Sequence, residues 1–388
     1  MLTWNQGGKM IKKTAILFVS LCLLFTVCGP AIAPVSAQGQ NQIAVSNSTI
    51  QVDYPNSLTF SCHIQNNTNI TDIRLEYQVE QMSFAQVTSE AQVTFNPSTS
   101  VNASFELNMQ QYGQIPPGVN IDYWWKVKDT AGNTMQTTPT QYMVYDNNHT
   151  WSTLTQGKIN IYWYGQNKAF GSAVMTEAQN ALKTIAGNTG AAPNKTVNIS
   201  VYTSDQDYQS SVLGVPEWSG GEEVSQYNAI YVILQPDEMS AELSAVDHEL
   251  THVIVNQIIY NPYNSIPFWL NEGLAVHIQF YGVDLSSQFT SPLSTAISDD
   301  NLISVRSLSD PFSAYADQAN LSYAESVSIV AYLINQYGTT KMSQLLDTFQ
   351  QGSTYDGALQ TVYGFNMDGL FTQWKAWLAA GKGNYLIH

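Results

Sequence analysis

The chain has 388 residues, 14 lysines and arginines against 30 acids, and a formal net charge of −16 at neutral pH. That length is more than one compact core usually takes, so two folded units plus a targeting segment are expected. The acidic balance repels nucleic acid and anionic membranes, which excludes both as partners, and a charged fraction of 11% leaves solubility to Asn, Gln, Ser and Thr.

Residues 1–37 read as an export signal. Lys9, Lys12 and Lys13 precede an apolar run from Ala15 to Val27, and Val35-Ser36-Ala37 ahead of Gln38 is a small-residue cleavage site. The body of the protein is therefore expected to be secreted or held at the cell surface, touching a membrane only through an uncleaved signal anchor. Cys22 and Cys28 fall inside the signal, so Cys62 stands alone in the mature chain and no internal disulfide forms. Cys62 lies in an alternating strand pattern and reads as a buried, inert thiol.

Residues 38–150 carry short apolar–polar alternation. Ile73, Leu75, Tyr77 and Val79 share one face, as do Val101, Ala103, Phe105 and Leu107, and Pro116-Pro117-Gly118 and Asp129–Asn133 supply turns. Several such strands without a helical period predict a β-sandwich of the immunoglobulin or fibronectin type.

Residues 151–388 begin as α+β. Strands are predicted at Lys158–Tyr164, Val197–Thr203 and Ala229–Leu234, with a helix near Ala173–Ile185. Beyond Ser240 the pattern is helical, near Ala241–Ile259, Pro267–Phe280, Tyr323–Tyr337, Lys341–Gln350 and Met367–Ala379. A small sheet feeding a mainly helical C-terminal lobe follows. Glu222 and Glu223 read as a solvated loop, with the border of the cleft as the alternative, and the strand after them as one that can pair with an extended peptide at the cleft edge.

Within the helix near Ala241–Ile259 stands His248-Glu249-Leu250-Thr251-His252. Residues four apart share a helix face, so both imidazoles can reach one zinc ion, and Glu249 lies beside the metal as a general base. The chain has six histidines, and two of them fall at this spacing in an otherwise apolar helix. A catalytic zinc takes a third protein ligand. A histidine six residues on is excluded, because position 258 is Ile258. Phe268-Trp269-Leu270-Asn271-Glu272-Gly273 opens a second helix whose acid follows His252 by 20 residues, room for a turn at Asn261-Pro262 and an antiparallel return.

From about Pro216 to Trp374 the sequence resembles the gluzincins of the peptidase MA clan, whose pattern is HExxH followed by an Asn-Glu-Gly helix. The resemblance implies a gluzincin-type catalytic domain with one zinc per chain, held by His248, His252 and Glu272, and Glu249 as base. It further implies an oxyanion-donating tyrosine near the start of a later helix, a place matched by Tyr323. The implied activity is hydrolysis of peptide or protein substrates; the alternative is a catalytically silent zinc- or peptide-binding surface protein. There is no Gly-x-Met-Glu-Asn stretch of the aminopeptidase N type, and Val276 stands where the thermolysin pattern has an aspartate. His277 and Asp247 are read as non-ligands, and Trp374 and Trp377 as core.

Overall fold

A computed structural model describes residues 43–83, 85–215, 219–313 and 315–382. The export-signal reading lies outside these residues. No described helix is long and apolar enough to cross a membrane.

The N-terminal part is a seven-stranded antiparallel sheet of β1 (Ala44–Asp53), β2 (Ser57–Val79), β3 (Ser89–Gln92), β4 (Ser98–Asn108), β5 (Asn120–Asp129), β6 (Thr134–Gln136) and β7 (Thr140–Met143). In place of the two stacked sheets of a sandwich there is one sheet, in which β1, β3, β4 and β5 pair with β2, and β6 and β7 pair with β5. The first half of β2, Ser57–Gln65, pairs with β1 and β4, its second half, Asp72–Val79, pairs with β3 and β5, and Ile70 between them pairs with both β4 and β5. The register shifts between Gln65 and Asp72, and the buried positions change from even (Leu58, Phe60, Cys62, Ile64) to odd (Ile73, Leu75, Tyr77). Such a bulge re-aims the side chains and bends the strand, letting one strand serve two differently oriented halves. Both halves feed one core with Tyr123, Trp125 and Val127. Cys62 is buried there, and burial pushes its thiol up to about 12, as an inert cysteine requires.

A second sheet follows, built from β8 (Ser152–Gln156), β9 (Ile159–Trp163), β10 (Val197–Tyr202), β11 (Gly221–Val224) and β12 (Ala229–Ile233) in the order β11-β12-β10-β9-β8. β9, β10 and β12 run parallel, while β8 and β11 are antiparallel edges. The crossover between β9 and β10 is α1 (Lys168–Thr189), and α2 (Asp205–Ser211) follows β10. Every residue of β10 and β12 is buried, as central strands covered on both faces must be.

The remainder is helical: α3 (Met239–Glu242), α4 (Ser244–Ile259), α5 (Phe268–Gln279), α6 (Ser287–Ser298), α7 (Ala316–Tyr337), α8 (Thr339–Gln350), α9 (Tyr355–Tyr363) and α10 (Met367–Ala379). Val246, Leu250, Val253 and Ile254 of α4 share a core with the second sheet and α1. Val255 and Ile259 of α4 join the core of the lobe, which includes Trp374 and Trp377. The motif helix is thus clamped between sheet and lobe, the rigidity a ligand-bearing element needs.

Candidate metal centre

α4 carries His248, Glu249 and His252, and α5 carries Glu272. Glu272 Oε2 stands 3.6 Å from His248 Nε2 and 3.5 Å from His252 Nε2, and the three candidate ligand atoms lie within 4.8 Å of one another. Two atoms each about 2.0–2.1 Å from one tetrahedral ion stand roughly 3.3–3.4 Å apart, so the spacing fits a shared cation. The chemistry of the set fits as well, since two imidazole nitrogens and one carboxylate oxygen are zinc-type donors.

Electrostatics point the same way. Burial works against charge on His252, but Glu272 beside it outweighs burial and holds the imidazole up at about 10. The same pairing carries Glu272, despite its burial, well below the usual carboxylate range. The pocket therefore stabilises positive charge between these groups, which is what a cation site must do.

His248 is oriented by a partner the sequence did not disclose. Its Nδ1 lies 3.1 Å from Gln279 Oε1, one helix away on α5. An Nδ1–H donating there leaves Nε2 as the acceptor facing Glu272. His252 Nδ1 is buried without a partner among the described residues, so that ring is held by packing, including a T-shaped contact with His248 at 4.9 Å.

Glycines bring the elements this close. A Cβ on Gly273 would lie 2.5 Å from the backbone oxygen of Ser326, so α5 and α7 touch at that residue. That contact seats the neighbouring Glu272. A Cβ on Gly221 would lie 2.8 Å from both Cγ and Oε1 of Glu249. Gly221→Ala should leave fold and metal content intact, because the side-chain end can move, while displacing the carboxylate. A displacement of about 1 Å near the reacting centre can cost 10²-fold in turnover, and steady-state kinetics beside zinc analysis would read it.

Glu222 and Glu223 are not in a solvated loop. They are half-buried in β11, the open edge of the sheet, and β12 is an interior strand paired on both sides. Burial first, then Glu249 and Glu223, push the Glu222 carboxyl up to about 7. Glu249 itself is buried, and burial raises its carboxyl against the opposing pull of His248 and His252.

Tyr323 sits inside α7, past its start at Ala316, packed edge-on against Phe312 at 5.2 Å. Burial, then the charges of Glu272, Glu249 and Glu222, raise its phenol, so it stays protonated. His277 points elsewhere: its Nε2 lies 3.2 Å from Asn188 Oδ1 on α1, and burial pushes it down to about 4. Asp247 is likewise turned away from the trio, toward Glu177 of α1, and burial followed by that neighbour pushes it up to about 8.

Among solved structures, the M1 zinc metallopeptidase from Deinococcus radiodurans is 11% identical, with 86% of this chain and 94% of that chain covered at a TM-score of 0.37. Wild-type OgpA from Akkermansia muciniphila is 10% identical over 28% of this chain and 31% of its own, at a TM-score of 0.21. A bromine derivative of BhCBM56 is 11% identical over 25% of this chain and 89% of its own, at a TM-score of 0.19. No curated protein matches the sequence. A family model described as the Peptidase MA superfamily matches residues 177–380, a span that contains α4, α5 and α7 and their candidate site residues. That match covers more than half of the 388 residues, and the chain belongs to the peptidase MA superfamily.

Proposed function

We propose that the protein is an extracytoplasmic zinc-dependent peptidase, with one zinc held by His248, His252 and Glu272 and with Glu249 as general base. The observation that carries this reading is the convergence of three zinc-type donors within 4.8 Å, with a buried, non-ligating carboxylate on the same helix. A purely structural site needs ligands and has no use for a base.

When bound, zinc lowers the pKa of a coordinated water to about 7 and polarises the substrate carbonyl. Glu249 accepts the proton of the attacking water and passes it to the leaving amine. Burial raises the Glu249 carboxyl, the direction that makes a carboxylate a stronger base. Tyr323, kept protonated, donates to the oxygen that becomes negative in the transition state. β11, beside Glu249, is an edge strand of the sheet, the kind of element along which an extended peptide can pair.

The test is metal analysis of the purified chain with cleavage of a diverse peptide mixture, before and after a chelator. About one zinc per chain and cleavage that chelation abolishes and zinc restores are expected. A folded, zinc-loaded protein that cleaves nothing would overturn the peptidase reading in favour of a binding role. Tyr323→Phe should slow turnover about 10²-fold with zinc content unchanged, the loss that follows removal of one oxyanion donor. Wild-type turnover in that variant removes Tyr323 from the reaction.

A further inference from the structure

A cavity of about 400 Å³ lies on the outer face of the N-terminal sheet, away from the metal centre. The register of β2, β5 and β7 sets Gln78, Asp122 and Gln141 side by side across three strands. Glu80 and Asn120 flank that row, joined by a 2.8 Å hydrogen bond from Asn120 Nδ2, and Gln81 and Gln86 close the wall. From this geometry we infer that the cavity binds a neutral oligosaccharide.

The chemistry of the walls selects that class. Small-ligand sites of this size are ordinarily apolar with a few polar groups. Among the described lining residues amides and carboxylates dominate, with Val87 exposed at the rim. A ligand that satisfies such walls must carry donors and acceptors all round, and a hydroxyl is both at once, matching a carboxylate oxygen as donor and an amide N–H as acceptor. No lysine, arginine or histidine is among the described residues that line the cavity, so these walls offer no cationic partner to an anionic ligand. A metal ion is disfavoured too, because among the described residues the group of three metal-type donors within reach of one another is the His248, His252 and Glu272 set.

The walls are partly pre-arranged and partly open. Gln78 Nε2 donates to Thr88 Oγ1 at 2.7 Å, and Gln86 Nε2 donates to Gln78 Oε1, so Gln78 is fixed. The side chains of Asp122, Gln81 and Gln141 make no hydrogen bond to the described chain. They keep their full capacity for a ligand. Val87, well exposed at the rim, can cover the C–H face of a sugar ring. Because the central row stands on strands, its spacing is held rigidly. The adjoining segment is tied to the catalytic part, with Met82 N–H donating to Gln226 O at 2.6 Å and Tyr260 O–H donating to Met82 O at 2.9 Å. A glycan held here stays beside the enzyme, whether it is a free polysaccharide or a glycan on the polypeptide being cut.

Isothermal titration of the full chain tests this with neutral hexasaccharides of α-1,4-, β-1,4- and β-1,3-linked glucose, of β-1,4-linked N-acetylglucosamine and of α-linked mannose. A second arm uses one peptide with and without a neutral glycan. Binding of at least one of these saccharides or of the glycopeptide is expected, weakened tenfold or more by Asp122→Ala and by Gln78→Ala. Glu106→Ala, an exposed position on β4, serves as the control that keeps it. Binding of free saccharide identifies a polysaccharide ligand, and binding of the glycopeptide alone identifies a substrate-borne glycan. Absence of binding across both arms, equal binding by wild type and both cavity variants, or saturation of the cavity by calcium alone overturns the assignment. None of these outcomes depends on cleavage, so they are separable from the fate of the peptidase reading.

Discussion

Glu249→Gln is expected to yield a folded, zinc-loaded protein whose peptide turnover is reduced about 10²- to 10⁴-fold, the range general-base catalysis supplies. The substitution keeps shape and volume, and Gly221 leaves the space that the side chain occupies. It also removes a carboxylate whose burial opposes ionisation, so stability should not fall. His248, His252 and Glu272 remain in place to hold the metal. What the amide cannot do is accept the proton of the attacking water. Zinc analysis, thermal melting and cleavage of a peptide mixture at neutral pH, all run beside wild type, separate these effects. Cleavage equal to wild type would show that another group is the base.

The candidate donors His248 and His252 were legible in the sequence because their spacing is local. Four residues make a helical turn, so His248 and His252 face one way whatever surrounds them, and the apolar flanks of α4 mark it as a packed helix. Glu272 needed one further step, that α5 returns against α4. Gln279 and Gly221 were not legible. Their roles exist because α4 docks against α5 and β11, and nothing in the local pattern of either segment records that docking.

The strands show the same division. Alternation identified the inward residues of β2 and β4, but the register shift inside β2 converts two apparent strands into one, and this decides between a sandwich and a single bent sheet. β11 was missed because a four-residue edge strand is half-buried and two of its residues are glutamates, so it has neither the apolar alternation nor the length of a strand signal. α7 begins seven residues before Tyr323, since Tyr315 at its head makes no side-chain cap that a sequence reading could use. α6 carries Pro292 in its interior, which reads as a break.

His252→Ala is expected to lower zinc from about one per chain to a small fraction of that and to abolish cleavage. In the folded protein His252 is almost completely buried with its Nε2 3.5 Å from Glu272, and its removal leaves two donors, too few for a tight site. It also leaves Glu272 buried with one fewer cationic neighbour, so the variant should melt earlier than wild type and lose the dependence of its Tm on added zinc. His277→Ala is the matched control: it removes an imidazole five residues beyond Glu272 on the same helix, but one that faces Asn188 rather than the trio. Its zinc content should equal that of wild type after dialysis against metal-free buffer. Full zinc in His252→Ala, or loss of zinc in His277→Ala, would require a different set of ligands, and metal analysis of the two purified variants decides between these outcomes without reference to activity.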